Sequence, residues 1–411
     1  MEFRKKGVFL DQAKEPALSR PIAHYVFPKM VYLRLPQRAV FQRGDQVRID
    51  EPAFTVGNQA VFSPIDAEVE DILTPSFDKE HTYAVLRNTV TPTQRQIMKK
   101  NDEETVEPER IIAYAKKCSV VDDLDGEFLY RKLEQAQDKR KLVVVGNAID
   151  DQPMISNHMG PLFKLTAEAA GGLRLAQKAL GAAEICFAIY GEIGSSDQRI
   201  PKELEKIPVV RMKGRYPARP RLEQEIGKKY PGMRVVSISS NALIHLYRAV
   251  VYEKPHSSLF LTVAGDAIAN PGNVEVALGT PVGEVLRFCG LAREPRRLIT
   301  RGTMAGYRLT DTQTPVSFGM NCLIADAKDG RRTHYECIGC GRCVKACPAG
   351  INPYLAYRYI TGKNQRYQQL GLERCTKCGL CSYICPSNID VASYIQTVLG
   401  EDLPQKGEES V

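Results

Sequence analysis

The 411-residue sequence lacks several features that would assign it to a class of protein. It has no run of about 18 uncharged apolar residues, so no membrane-spanning helix is expected. The first residues, MEFRKKGVFLDQAKEP, contain no apolar segment of a signal peptide. The six histidines, among them His158, His245 and His334, follow no spacing typical of a nucleophilic or metal site. Tryptophan is absent too, which excludes nothing. The absence of a membrane-spanning run and of a signal peptide predicts a chain of the reducing cytoplasm.

The sequence also lacks a large net charge, because its 56 Lys and Arg residues are nearly balanced by 48 Asp and Glu residues. The densest basic segment is RMKGRYPARPRLEQ, residues 211–224. Because no aromatic and basic module of a known nucleic-acid-binding fold accompanies it, we expect no nucleic-acid partner. We interpret the segment as a solvated loop or a docking surface for an acidic redox protein.

Eight of the twelve cysteines form two copies of one pattern, C-x2-C-x2-C-x3-C-P. The copies are YECIGCGRCVKACPAGINP (335–353) and LERCTKCGLCSYICPSNID (372–390). Bacterial two-cluster ferredoxins hold 4Fe–4S clusters with this spacing, and the fourth cysteine of each copy ligates the other cluster. The first predicted cluster therefore has the ligands Cys337, Cys340, Cys343 and Cys385. The second predicted cluster has the ligands Cys375, Cys378, Cys381 and Cys347.

The spacing has a physical reason, and its alternatives fit less well. Two-residue gaps place successive thiolates on a tight turn, where Gly339, Gly341 and Gly379 let the backbone approach the cluster. Zinc sites generally use two C-x2-C pairs, or cysteine with histidine. A disulfide framework belongs to small secreted domains. The cysteines outside the pattern are expected to be buried free thiols: Cys118, Cys186, Cys289 and Cys322.

Four regions differ in pattern, which predicts a multidomain α/β chain. Residues 1–104 contain short alternating runs such as VYLRLP and AEVEDIL, typical of β structure. Residues 105–255 place the apolar runs LVVVGNA, ICFAIYG and VVSISS around the helical stretch LTAEAAGGLRLAQKALG, which predicts a parallel sheet with crossover helices. Residues 256–319 return to short strands. Residues 320–411 hold the cysteines within helical sequence and end in EDLPQKGEESV, an expected frayed tail.

In this order, the four regions resemble the C subunit of Rnf electron-transport complexes. The cobalamin reductase of propanediol-utilisation microcompartments and the proline-reductase-associated electron-transfer protein are in the same RnfC-like group. FQRGDQVRIDEPAFTVGNQAVFSPIDAEVEDI resembles the group's barrel-sandwich domain, and LTVAGDAIANPGNVEVALGTPVGEVLRFCG its β-grasp (SLBB) domain. The resemblance implies a β-rich barrel-sandwich N-terminal domain, a Rossmann-like domain similar to the flavoprotein subunit of respiratory complex I, an SLBB domain and an α-helical dicluster ferredoxin domain.

The Rossmann-like region departs from the family where FMN and NADH are expected to bind. The family's phosphate loop, G-x-G-G-x-x-F-P-T, corresponds to DLDGEFLYRKL, residues 123–133. Asp123 and Asp125 replace glycines there, and a carboxylate beside a phosphate is electrostatically unfavourable. The residues of this loop that still match are Gly126, Phe128, Lys132 and Leu133.

A second flavin motif is recognisable in GNAIDDQPM (146–154), while a third is replaced by SSNAL (239–243). The resemblance thus implies a degenerate FMN site and leaves the binding of FMN and NADH open. In the alternative interpretation, Asn147 and Asp150 only shape a turn at the end of a strand. The candidate FMN residues are Gly126, Phe128, Lys132, Asn147, Asp150 and Asp151.

The predicted function is electron transfer through two 4Fe–4S clusters, between a reduced donor and a partner reductase or membrane complex. One alternative is an FMN-containing NADH:acceptor oxidoreductase, and another is a docking scaffold with a degenerate flavin domain. Whether the chain is itself an enzyme stays open. The expected partners are a redox protein or membrane electron-transport subunits. The cytoplasmic location leaves room for attachment to the inner face of a membrane or to a multi-protein complex.

Overall fold

The computed structural model describes residues 6–36, 40–57, 59–90, 98–136, 141–191, 200–328, 330 and 333–400. The expected frayed tail, residues 401–411, lies outside the described residues. Among the helices that are described, none combines the length and the apolar character needed to span a bilayer.

The N-terminal region forms two small β layers around one apolar core. Its elements are helix α1 (Glu15–Leu18) and strands β1 (Ala23–Tyr25), β2 (Met30–Arg34), β3 (Gln46–Val47), β4 (Pro52–Val56), β5 (Gln59–Phe62), β6 (Ala67–Leu73) and β7 (Tyr83–Asn88). An antiparallel sheet in the order β2–β7–β6–β3 faces the hairpin β4–β5. Val31, Val69 and Leu86 from the sheet share a core with Phe54 of the hairpin. Alternating burial along β6 confirms the half-buried strand that its sequence predicts.

The second region is a parallel sheet with helices on both faces. Its elements are α2 (Pro108–Lys117), α3 (Leu129–Ala136), β8 (Leu142–Ala148), α4 (Met159–Lys164), α5 (Thr166–Leu180), β9 (Glu184–Tyr190), β10 (Glu203–Leu204), β11 (Ile207–Met212), α6 (Leu222–Lys229), β12 (Arg234–Ser239) and α7 (Ser240–Tyr252). The strand order is β10–β11–β9–β8–β12, and only β10 runs antiparallel to its neighbour. The predicted parallel sheet is confirmed, because the three apolar runs form β8, β9 and β12.

The order of the parallel strands creates a crevice at one edge of this sheet. The chain leaves β8 through α5 on one face and reaches β12 from α6 on the other, so the connections diverge between two adjacent strands. In open α/β sheets, ligands bind at the carboxyl ends of strands at such a point. The segment after β8 and the start of α7 lie there, so a flavin bound to this sheet would be expected at this crevice.

The third region is a mixed sheet that also contains one strand from before residue 256 and one from after residue 319. Besides β1, its elements are β13 (Ser258–Ala264), β14 (Gly272–Ala277), α8 (Val282–Phe288), β15 (Arg297–Thr300), β16 (Tyr307–Arg308) and β17 (Cys322–Asp326). The order is β1–β14–β13–β17–β15–β16. Strand β17 comes after the sequence-based boundary at 320, yet it pairs with both β13 and β15. Gly265 allows this closeness, because a Cβ there would overlap the carbonyl oxygen of Ala325.

The fourth region is a small helical unit around the cysteines. Its helices are α9 (Arg342–Ala346), α10 (Pro353–Thr361), α11 (Leu380–Tyr383) and α12 (Val391–Val398), with 3-10 turns at Gln365–Leu370 and Leu372–Arg374. Asn352 caps α10 by accepting a hydrogen bond from the backbone N–H of Leu355. Asp390 caps α12 in the same way. Ala356 and Ile395 form the centre of its core.

Two groups of side chains outside the sites have environments that the sequence only partly predicts. The cysteines outside the clusters are buried free thiols, as expected: Cys118, Cys186, Cys289 and Cys322. The basic segment 211–224 is not simply solvated. Arg221 is buried, and its guanidinium donates hydrogen bonds to the carbonyl oxygens of Lys213 and Arg215. This arginine therefore stabilises the conformation of residues 213–221 and is not available to bind a partner.

Candidate functional site

The cysteines of the two motifs line two separate cavities. Cys337, Cys340 and Cys343 line one open cavity of about 390 Å³ together with Cys385 from the second motif. The backbone winds around it through Gly339 and Gly341, which adopt φ angles of 65° and 70°. We call this the first cavity. It brings together the four residues that the spacing assigns to one cluster.

The second cavity, of about 380 Å³, has the reciprocal composition. Three of its cysteines come from the second motif, and the fourth is Cys347 of the first motif. Within the described residues, no three His, Cys, Asp or Glu side chains converge closely enough to hold a single ion. The cysteines instead line the two volumes. A donor set of four cysteines around a cavity fits a 4Fe–4S cluster.

The cavity walls make the thiolate form costly without a cation. Burial raises the pKa of the Cys343, Cys375 and Cys378 thiols, and that of Cys381 more strongly. A thiolate is the form that binds metal, and the positive charge of iron would offset the cost of its burial. Apolar side chains around the second cavity, such as Ile351, Leu380 and Ile395, limit solvent access. Solvent exposure is one of the factors that set a cluster's potential.

The loop around the second cavity contacts the rest of the protein at Gly379, whereas the loop around the first cavity makes no such contact at the equivalent residue, Gly341. Gly341 and Gly379 directly follow the second cysteine of their motifs, and both have φ of 70°. A Cβ on Gly341 would meet nothing within 4 Å, but one on Gly379 would overlap the carbonyl oxygen of Met304. The hydroxyl of buried Tyr216 also donates a 2.6 Å hydrogen bond to the carbonyl oxygen of Cys378.

The loop expected to cradle a phosphate is closed on itself. The backbone N–H of Gly126 donates to Asp122 O, and that of Asp122 donates to Glu127 O. The N–H groups of Leu124 and Glu127 donate to aspartate side chains of the same loop. Anion-binding loops work because their N–H groups point at the ligand. Here those donors are already engaged.

The lysine of that loop is likewise committed. Lys132 Nζ lies 2.6 Å from an Asp122 carboxylate oxygen and 2.5 Å from one of Asp125. Burial opposes its charge, but these two carboxylates raise the pKa of Lys132 overall. Phe128 is half-buried beside the core under α3. An anionic phosphate at this place would have to displace an ion pair and face two carboxylates.

The second group of candidate FMN residues forms turns at the end of β8. Asn147 accepts a hydrogen bond from the N–H of Ile149 and donates one to Ser237 Oγ. Asp150 accepts from the N–H groups of His158 and Met159. Asp151 accepts from the N–H of Ala218. These contacts are those of the alternative interpretation, in which the side chains shape a strand end.

The crevice between β8 and β12 is filled by an ionic network that sequence analysis missed. His158 is 2% exposed and lies between Asp150, 2.8 Å from Nδ1, and Asp123, 3.2 Å from Nε2. Burial acts against its charge, but the two carboxylates raise the pKa of His158 to about 9. Lys14 donates to the carbonyl oxygens of Asp150 and Gln152, and burial lowers its pKa to about 8. Asp123 and His158 meet only in the fold, so no local signal predicts the pair.

Some polar atoms beside this network have no partner among the described residues. They are the amide oxygen and nitrogen of Asn157, Asn241 Oδ1, Asp123 Oδ1 and His158 Nε2, whose 3.2 Å approach to Asp123 is a charge contact without hydrogen-bond geometry. Buried polar atoms of this kind are usually satisfied by water or a bound molecule. Asn241 Nδ2 is already used, since it donates to Asp123 and to Asn157 O. In the part of the chain that the structure describes, the crevice thus offers a few positions for hydrogen bonding, but its cationic groups, Lys14 and His158, are already engaged by protein oxygen atoms. FMN therefore does not fit the residues present.

The histidine network makes stability depend on pH in the alkaline range. A pKa raised from 6.5 to about 9 contributes stability that is fully present below pH 6.5 and is lost as pH rises through 9. A shift of this size corresponds to about 3 kcal/mol. His158→Gln should therefore lower the unfolding free energy by about 3 kcal/mol at pH 6 and by much less above pH 9.5. Urea unfolding of both proteins across this range measures the difference, and a pH-independent difference would contradict it.

Comparison with known proteins agrees with the site. Residues 336–389 match the family of 4Fe-4S dicluster domains, and residues 260–308 match the SLBB domain family. The chain is an electron-transfer iron–sulfur protein whose cofactors are two 4Fe–4S clusters. Its dicluster segment contains all eight cysteines of the two motifs.

Similarity to whole proteins extends further along the chain. The C subunit of a proton-translocating ferredoxin:NAD(+) oxidoreductase complex from Clostridium ljungdahlii is 23% identical over 394 residues, 88% of this chain and 85% of that protein. The C subunit of an ion-translocating oxidoreductase complex is 36% identical over 152 residues in Rhodobacter capsulatus and 32% over 145 residues in Yersinia pestis. These two matches span 28% and 23% of the relatives' own lengths. The resemblance to the RnfC-like group is thereby confirmed.

A solved structure gives a weaker likeness. An NAD+-reducing NiFe hydrogenase in its H2-reduced state shares 14% sequence identity at a TM-score of 0.48, over 72% of this chain and 68% of that one.

Proposed function

We propose that this chain passes electrons one at a time through two 4Fe–4S clusters, between a reduced donor and a partner reductase or membrane complex. The observation that carries the proposal is the pair of cavities, each lined by three cysteines of one motif and the fourth cysteine of the other. Because each motif supplies ligands to both sites, the two clusters would lie side by side in one rigid unit. A cluster changes oxidation state by one electron, which is the chemistry that these sites supply.

The residues that would hold each cluster follow from the cavity linings. Around the first cavity they are Cys337, Cys340, Cys343 and Cys385. Around the second they are Cys347, Cys375, Cys378 and Cys381. The protein's own contribution is the burial of the thiolates, the supply of N–H donors such as that of Lys377, which reaches Cys375 Sγ at 3.4 Å, and the exclusion of water.

We infer that the Rossmann-like domain works without FMN, so that the chain is not an NADH:acceptor oxidoreductase. Support comes from the closed loop around Gly126, the paired Lys132 and the filled crevice at His158. The domain then serves to fix the position of the clusters and of partner proteins. The domain division at residues 104, 255 and 319 belongs to this proposal, with β1 and β17 contributing to the SLBB sheet across those limits.

The names of the relatives suggest the setting. They are subunits of ion-translocating or proton-translocating oxidoreductase complexes, and we infer that this chain also works with further electron-transport subunits. A peripheral position at the inner face of a membrane would suit a role in such a complex.

Cofactor analysis of anaerobically purified protein tests the proposal. We expect about eight iron and eight sulfide ions per chain, no FMN released on denaturation, bleaching by dithionite and no bleaching by NADH. Stoichiometric FMN with NADH bleaching would instead establish the flavin-containing oxidoreductase. Intact folding without iron or sulfide would leave only the docking scaffold.

A further inference from the structure

The two cavities differ in what surrounds them, although their motifs have the same spacing. The second cavity is held against the body through Gly379 and Tyr216. Ala346, which precedes the second cavity's Cys347, is also tied down, because its carbonyl oxygen accepts a 3.1 Å hydrogen bond from the N–H of Gly7. A partner protein therefore meets neighbouring domains when it approaches the second motif at Cys378 and Gly379.

The first cavity opens beside large apolar side chains on the surface. Ile338, which lines the cavity, is 72% exposed, and Tyr335 is 63% exposed. Cys340 is itself exposed, whereas its counterpart Cys378 is partly buried. Exposed apolar residues next to a predicted redox centre are what a protein interface requires, since electron transfer needs close approach and an interface excludes water at its centre.

The charge on this face is positive. Arg342 and Lys345 are exposed, and their i, i+3 spacing places them on the same side of α9. Glu336 is the acidic residue of the neighbouring loop. Over residues 333–400 as a whole, both motifs included, the sequence has seven Lys and Arg residues against three Asp and Glu, so this face belongs to a basic region. A basic surface attracts an acidic partner and accelerates productive encounters.

We propose that Tyr335, Ile338, Arg342 and Lys345 form the docking face for a small acidic redox protein that carries a one-electron centre. This inference rests on the proposed electron-transfer function and names the class of partner. In the step, the reduced partner loses one electron and the dicluster unit gains it, or the reverse, and no bond is made or broken. The second cavity is then the inner site, reached through the first.

Charge reversal on the two faces tests this inference. The probe is an acidic plant-type 2Fe–2S ferredoxin, mixed in a stopped-flow instrument with the dithionite-reduced, iron-replete chain. Arg342→Glu with Lys345→Glu should slow electron exchange about tenfold or more at low ionic strength, and the difference should vanish near 1 M salt. Arg374→Glu with Lys377→Glu reverses two exposed charges in the second motif for comparison. The matched control is Lys363→Glu with Arg366→Glu, two exposed residues with the same spacing outside both motifs. Zero-length carbodiimide cross-linking to the ferredoxin should attach at Lys345.

The outcomes separate this inference from the function on which it rests. A slower rate in the Arg374 and Lys377 variant alone, or cross-links confined to Lys377, would place the partner at the second cavity and overturn the proposal. Dithionite bleaching without any exchange with the ferredoxin would also overturn it, while leaving the electron-transfer function intact. An iron-replete chain that dithionite does not bleach would contradict the proposed function itself. Iron and sulfide counts on each variant show whether the clusters are retained.

Discussion

Cys347→Ser is expected to remove the cluster held by the second motif, although Cys347 belongs to the first. The reason is that Cys347 lines the same cavity as Cys375, Cys378 and Cys381. Bound iron should fall from about eight to about four per chain, since a 4Fe–4S cluster generally needs all four cysteine ligands. Iron and sulfide assays, together with the electron paramagnetic resonance of the dithionite-reduced protein, measure the loss.

Paired substitutions identify which cluster is lost. Cys347→Ser combined with Cys378→Ser should lose no more iron than either single variant, because both remove ligands of one cluster. Cys347→Ser combined with Cys340→Ser should lose nearly all iron. Cys322→Ser is the control, since that buried thiol lies in β17, outside both cavities. The reverse pattern, in which Cys347 and Cys340 behave as one unit, would refute the exchange of ligands between motifs.

The parts of this protein that could be predicted from the sequence are those encoded by local spacing. The C-x2-C-x2-C-x3-C-P pattern already specifies which cysteines should share a cavity, because the pattern binds two clusters by exchange. Likewise, LVVVGNA is apolar at nearly every position, as a strand buried on both faces must be, and it forms β8 with all seven residues buried. In both cases the information lies within a few neighbouring residues.

The rest depends on contacts between distant segments. Gly341 and Gly379 occupy equivalent positions in the two motifs, and only the fold places Met304 against one of them. Asp123 looked like an obstacle to a phosphate, and in the structure it pairs with His158, 35 positions further along the chain. Ion pairs also account for the structure of the loop at residues 123–133 that the sequence presented as a degenerate phosphate loop. Asp123 and Asp125, which the resemblance places where the family has glycines, are paired with His158 and Lys132.

Gly379→Ala should loosen the second cavity far more than Gly341→Ala loosens the first. Both substitutions place a Cβ on a residue with φ of 70°, at a cost of about 1–2 kcal/mol. Only the change at Gly379 also drives that Cβ into the carbonyl oxygen of Met304, which must move away with its loop. If the additional cost is at least about 1.4 kcal/mol, iron should leave the Gly379→Ala variant at least tenfold faster when a chelator is present. The absorbance of the chelator–iron complex follows this release.

The pair of glycines serves as its own control, because the backbone strain is common to both variants and cancels in the ratio of their rates. Tyr216→Phe extends the test, since it removes only the hydroxyl that donates to Cys378 O and should accelerate release by a smaller factor, consistent with about 1 kcal/mol for one hydrogen bond. Amide hydrogen exchange in residues 301–306 should rise in Gly379→Ala and stay unchanged in Gly341→Ala. Equal release rates from the two glycine variants would mean that the contact with Met304 does not hold the second cavity in place, and the distinction between an inner and an outer cluster would then rest on the exposure of Tyr335, Ile338 and Cys340 beside the first cavity.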